Sequence, residues 1–372
     1  MQLSNKKFLV AGLAVLTALT FTACGGKEST NKQAKVEKQI VVDIKGNKVE
    51  VPKQIKKLAV VPIPWASVVY ALDGNSQRLA AIHPGARAAY TGKFLEKKDK
   101  HYGTIDIKMI NQNFSVNMES MAAAGIEACL LWQYQESDAK KLQDIGVKSV
   151  LIYNDNVENL KKSFMIVGKL IDKEAKAKKL CDYYDNAYNS IVARKDEVAK
   201  AKKPTILFLR NAQLRLQGND NFMHQALEIG GAYNPIDQSA LDSNNKSIPM
   251  EEIYKINPDI IFLSNFDKFV PDDLYNNKLP AQDWSSIKAV KNKRVYKVPM
   301  GIYRWDAPGV ETPLMMRWIA HTMQPEIFKD VDIRKETKAF YKEFLNMELT
   351  DEDMAQIFAD EANKNSVPLD KK

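Results

Sequence analysis

Residues Lys173 to Lys200 read KEAKAKKLCDYYDNAYNSIVARKDEVAK. Nothing in that stretch breaks a helix. Proline is absent from 157–203, and glycine does not recur there after Gly168. Ala177, Leu180, Cys181, Tyr184, Tyr188 and Ile191 return at intervals of three and four, which places them on one helical face. The pattern predicts a long linking helix over 171–202, with an interruption near Ile171-Asp172. Pro204 closes it and leads into the strand-like run Thr205-Ile206-Leu207-Phe208-Leu209.

On either side of this rod, short apolar runs alternate with helical patterns. Before it, Leu58 to Val61, Leu79 to Ile82, Glu127 to Trp132 and Ser149 to Tyr153 read as strands. Ala66 to Leu72, Met118 to Ala124 and Ser137 to Ile145 read as helices. After it, Asp259 to Leu263 and Val295 to Val298 are strands. Met223 to Ile229, Met250 to Lys255, Gly309 to Met323, Lys335 to Leu345 and Asp351 to Ala359 are helices. Ile40 to Asp43 and Val49 to Pro52, around Gly46-Asn47, form a hairpin. Such alternation implies parallel sheets covered by helices on both faces. The predicted fold class is α/β: two Rossmann-like lobes, 40–170 and 203–372, each with a central parallel sheet. The 171–202 helix joins them. A ligand cleft between the lobes is expected beyond the strands' carboxyl ends.

The N-terminus describes export. Lys6 and Lys7 precede the uncharged, largely apolar run Phe8 to Phe21; Thr22-Ala23 then stand before Cys24. This is the order of a secretory signal peptide over 1–23, and the run is short for a membrane span. Cysteine directly after a small residue resembles a bacterial lipobox, although Phe21 departs from the usual leucine. Cys24 is the expected lipidation site, with a chance cysteine behind an ordinary signal as the alternative. Two acyl chains would hold the protein on a membrane without a spanning helix. Residues 24–39 are polar and lysine-rich and read as a flexible tether.

The chain is 45% hydrophobic and 27% charged, as a globular protein should be. Lys+Arg 54 against Asp+Glu 46 gives a net charge of +8. Export argues against nucleic acid as the reason, and much of the excess sits in solvated lysine such as Lys200-Ala201-Lys202-Lys203. Cys129 and Cys181 lie in apolar patterns and read as buried small hydrophobes. A disulfide between them stays open, because sequence does not give their separation.

Over some 300 residues the order of these elements resembles the substrate-binding lipoproteins of ABC importers for ferric siderophores, haem and cobalamin. The resemblance runs through Trp65-Ala66-Ser67-Val68-Val69-Tyr70-Ala71-Leu72, Lys141 to Val147, Ala226 to Ala232, Ile256-Asn257-Pro258-Asp259-Ile260-Ile261 and Ala289 to Tyr296. It implies a ligand cleft lined by the loops after the strands, here carrying Trp65, Trp132, Tyr134, Arg210, Arg215, Tyr303, Arg304 and Trp305. Aromatic faces and guanidinium groups together suit a large, flat, anionic ligand. It also implies one glutamate per lobe docking onto a membrane permease. Glu119 and Glu251 match, each seven residues before the end of its helix–strand turn (Ile126 and Pro258). The plain alternative is two carboxylates placed favourably at helix N-termini. Direct metal ligation is the thinnest implication. No paired-histidine spacing exists, and His83 and His224 are candidates by position alone, against the reading of satisfied or exposed histidines.

The expected function is therefore the substrate-binding component of an ABC importer. It would be a monomer on the outer face of a membrane, without a cofactor, capturing a metal chelate for a permease and its ATPase. A ferric siderophore is the first choice, with cobalamin, haem or an oxyanion such as molybdate open. A secreted α/β enzyme would need a nucleophile elbow, paired histidines or a phosphate-cradling loop, and none of these occurs in the sequence. A surface adhesin would leave the cleft idle.

Overall fold

The computed structural model of the chain describes residues 37–217, 226–232 and 247–369. The signal peptide, Cys24, most of the tether, and His224 lie outside the described residues.

Among the described residues, nine strands form three sheets. β1 (Lys38–Val42) and β2 (Lys48–Pro52) pair antiparallel as the expected hairpin. β3 (Leu58–Val60), β4 (Leu79–Ile82), β5 (Ala128–Trp132) and β6 (Lys148–Ile152) make a parallel sheet in the order β4-β3-β5-β6. β7 (Ile206–Leu209), β8 (Ile260–Leu263) and β9 (Val295–Lys297) make a second parallel sheet in sequence order. β3, β7 and β8 are apolar and buried throughout. A parallel sheet needs such runs, because helices cover both of its faces. In the first sheet β3 has its sequence successor β4 on one side and β5 on the other. The order of winding reverses there, which opens a crevice at the carboxyl end of β3.

The helical stretch is built in pieces. Val157–Leu170 and Glu174–Val192 form a helical hairpin, and Lys195–Lys200 continues the second arm. The first break falls at the expected place, where Asp172 takes a left-handed φ of 58°. The hairpin arms meet at Gly168, where an added Cβ would come within 2.5 Å of the Ala177 side chain. The second break, at Ala193-Arg194, corrects the expectation of one unbroken rod over 171–202. Neither glycine nor proline marks it.

Helices from the C-terminal part reach back across the molecule. Thr312–Met323 packs on Glu174–Val192, and Ile333–Leu345 packs on Trp65–Asp73 beside the first sheet. One continuous apolar core includes Leu58, Val60 and Leu130 from the first sheet, and Phe208, Phe262 and Tyr296 from the second. Smaller clusters cover each sheet's other face. Cys129 and Cys181 are both buried and unpaired, which closes the question of a disulfide between them.

Candidate ligand-binding site

The carboxyl ends of β7, β8 and β9 bring three loops together. Arg210 follows β7, Phe266 sits three residues beyond β8, and Tyr303-Arg304 lie in the loop after β9. The Arg210 guanidinium stacks over the Phe266 ring with its carbon 3.6 Å from the centroid, and that of Arg304 lies 4.7 Å from the same centroid. Phe266 thus gathers two cations on one partly exposed ring, a contact worth about 0.5–1 kcal/mol each at such a surface. Arg304 also donates through Nε to the Asn265 carbonyl at 3.0 Å, and through Nη1 to the Tyr303 hydroxyl at 3.0 Å. Arg210 donates to Gln217 Oε1 at 2.6 Å. Each guanidinium is thereby fixed on one side.

Below the pair lies a buried polar layer. The Ser264 hydroxyl donates to Asp306 Oδ2 and accepts the Phe266 N–H at 3.1 Å. Gln217 Nε2 donates to the Asp306 carbonyl at 2.9 Å. Lys297 is buried and donates to the carbonyls of Ser264, Asp267 and Phe269 at 2.8, 2.7 and 3.0 Å. Burial pushes its ammonium down to about 8, against the pull of Asp306 and Asp267. Asp306 is fully buried, and burial raises its carboxyl above the ordinary range.

A second layer fixes the loop carrying Tyr303. Buried Glu311 accepts the Tyr303 N–H at 3.0 Å, Trp305 Nε1–H at 2.8 Å and the Tyr341 hydroxyl. The Tyr341 oxygen in turn accepts the Ile302 N–H at 2.8 Å. Burial raises the Glu311 carboxyl to about 7, although these donors favour its anion. Across the cleft, Ile63 in the loop after β3 packs against Tyr303 and Ala307. Asn154, after β6, reaches the Pro308 carbonyl at 3.5 Å. The carboxyl ends of the two sheets therefore face each other here.

Two tryptophans expected in the cleft are core residues. Trp65 is 0% exposed and packs on Phe164 at 5.6 Å, because it opens a helix whose inner face meets Val157–Leu170. Trp305 is 0% exposed, packs edge-on to Phe358 at 5.5 Å, and spends its N–H on Glu311. Trp132, the last residue of β5, and Tyr134 just beyond it do stand together, stacked at 6.3 Å, with Tyr134 67% exposed. Arg215 is exposed on the turn whose carbonyl accepts the Arg210 N–H at 2.7 Å. Sequence reading missed Phe266 and Gln217. Position was their only signal: Ser264-Asn265-Phe266 follows a buried strand as Tyr303-Arg304 does.

His83 is occupied. Its Nδ1 accepts the Gly85 N–H at 2.9 Å, which leaves Nε2–H to donate to the Gln112 carbonyl at 3.3 Å. The ring is buried, which lowers its pKa, and stacks on Phe114 at 4.5 Å. That arrangement satisfies a neutral histidine and leaves no lone pair for a metal. Among the described residues no group of three or more His, Cys, Asp or Glu is placed to hold a metal ion. Glu119 and Glu251 are both exposed in the first turns of Met118–Ala123 and Met250–Ile256. Each helix runs back toward the start of the next strand, so its N-terminus lies on the carboxyl-end side of its sheet. A cavity of about 1270 Å³ lies elsewhere, lined by Trp318, His321, Met354 and Phe358 among others, and shares no residue with the cation pair. Among the described residues no helix is long and apolar enough to cross a membrane.

A crystal structure of a periplasmic solute binding protein from Veillonella parvula is similar, with 38% identity and a TM-score of 0.83. The match covers 88% of this chain and 99% of that one. The molybdate-binding protein MolA of Haemophilus influenzae is 22% identical over 91% of this chain and 96% of its own length. The iron-uptake system-binding protein of Bacillus subtilis is 27% identical over 78% of this chain and 90% of its own. Residues 66–300 match the family model for periplasmic binding proteins, and the chain, with its two parallel sheets facing across a cleft, belongs to that family.

Proposed function

We propose that this protein is the substrate-binding component of an ABC importer, capturing a ferric siderophore or similar anionic metal chelate and passing it to a permease and its ATPase. The observation that carries the reading is the guanidinium pair, Arg210 and Arg304, gathered on Phe266 at the cleft. Two fixed forks of N–H donors suit the carboxylate or catecholate oxygens of a chelate, and Trp132 and Tyr134 offer a stacked apolar face. Relatives include the iron-uptake system-binding protein above, and the petrobactin-binding protein YclQ of Bacillus subtilis, 23% identical over 84% of this chain.

A compact oxyanion is the second reading, favoured by MolA, which matches over nearly its whole length. Mass spectrometry, metal analysis and absorption of protein purified from its own host separate the two. A ferric chelate band with iron supports the first; molybdenum or tungsten without iron supports the second. Protein that carries neither, and binds neither when offered them, would overturn both.

The remaining parts of the role follow. Cys24 carries the lipid anchor and 24–39 the tether, so the protein works at the outer face of the membrane. Glu119 and Glu251 are its docking anions, one per half. The helix Glu174–Val192 with its continuation links the halves, and the core shared by both sheets keeps closure small.

A further inference from the structure

Arg210 and Arg304 both stack on Phe266, so whatever fixes that ring fixes where they stand. Beneath them lies the buried carboxylate of Asp306. Its Oδ2 accepts the Ser264 hydroxyl, and that hydroxyl's oxygen accepts the Phe266 N–H at 3.1 Å. Its main-chain carbonyl accepts Gln217 Nε2 at 2.9 Å, while Gln217 Oε1 accepts from Arg210 at 2.6 Å. One residue therefore reaches the ring that carries both cations, and separately reaches one of the cations. Asp306 Oδ1 is buried and has no hydrogen-bond partner, an arrangement that costs free energy unless the charge is offset through space. Arg304 and Lys297 are the cations that act on it.

We propose that Asp306 is the positioning residue of the cleft: its buried carboxylate sets Phe266 through Ser264, its main-chain carbonyl steadies Arg210 through Gln217, and the two together fix where both guanidiniums stand. Its contact with ligand is nil; its effect is on where the ligand's partners stand. The inference rests on reading Arg210 and Arg304 as the ligand's anchors.

The test reads the arginines directly in the full chain, labelled with ¹⁵N-arginine. In the wild type the Nε–H resonances of Arg210 and Arg304, assigned by Arg→Lys replacement, lie upfield because of the Phe266 ring. Asp306→Ala and Ser264→Ala are expected to move both toward the random-coil position. Asp306→Asn keeps an oxygen for the Ser264 hydroxyl and is expected to retain the shift. Gln217→Leu is expected to move Arg210 alone. Should Asp306→Ala fail to fold, Ser264→Ala cuts the same link with the loss of one oxygen. Arginine resonances unmoved in Ser264→Ala would overturn the proposal, as would Asp306→Asn behaving like Asp306→Ala.

A parallel titration uses ferric citrate and molybdate as probes. Whichever binds the wild type should bind Ser264→Ala about tenfold more weakly, the effect of one misplaced charge-assisted hydrogen bond. Unchanged affinity beside shifted arginine resonances would overturn the link from Asp306 to binding. If neither probe binds the wild type, the choice of ligand class fails, while the arginine spectrum still decides the role of Asp306.

Discussion

Replacing Glu311 by glutamine should remove a pH dependence of folding that the wild type carries. Glu311 is 3% exposed and takes donors from Tyr303, Trp305 and Tyr341, and burial lifts its carboxyl from 4.5 to about 7. A carboxyl with a raised native pKa binds its proton more tightly folded than unfolded. Its contribution to stability is therefore complete below pH 4.5 and is lost as pH rises through about 7. At about 1.4 kcal/mol per unit, the swing is at most about 3 kcal/mol. Glutamine does not titrate. It keeps an oxygen for Trp305 and Tyr341 but turns an amide toward the Tyr303 N–H, a fixed cost of about 1–3 kcal/mol. Urea unfolding by tryptophan fluorescence, at about pH 4.5, 6 and 8, gives the difference between the two proteins, in which other titrating groups cancel. The variant should trail the wild type most in acid and close the gap by up to about 3 kcal/mol at the alkaline end. A difference that stays flat with pH would show that Glu311 does not titrate in this window and would refute the reasoning.

Other perturbations have equally definite outcomes. Gly301→Ala would drive a Cβ into Glu311 Oε1 and the Tyr341 hydroxyl. It should destabilise by about 1–3 kcal/mol as an overpacked site and weaken ligand binding as well; an unchanged melting temperature would count against it. Arg304→Ala should cost about 1–3 kcal/mol of ligand affinity, measured by titration with the ligand recovered from the host, and equal affinity would remove Arg304 from the site. Charge reversal at Glu119 and Glu251 should leave that affinity intact and impair uptake by cells; normal uptake would argue against docking.

The alternation of apolar runs and helical patterns made the two parallel sheets readable, because strands buried on both faces must be apolar throughout. The loops after those strands were readable by position, and the family resemblance singled out Arg304 and Arg210 within them as candidates. Direction was not readable. Trp65 and Trp305 occupy the right loops and turn inward, one onto Phe164, the other onto Phe358 and Glu311. A bulky ring in a loop has the same letter whichever way it faces. Phe266 escaped notice for the converse reason: a single apolar letter in a polar turn carries no pattern, and its importance comes from two arginines far away in sequence. Asp306 is one polar letter in a loop before a helix, and its partner Ser264 is 42 residues away. The helix Glu174–Val192 announced itself through its stripe, while the break at Ala193-Arg194 left no mark in composition.

The apolar core common to both sheets bears on how cargo would leave. A wedge wide enough to free a bulky ligand by swinging one half would wet residues such as Leu58 and Phe262. At about 25 cal/mol per Å², each 100 Å² so exposed costs about 2.5 kcal/mol. Empty and filled molecules would accordingly present almost the same outline. A membrane receiver would have to recognise cargo at the rim, or force the halves apart with work of its own.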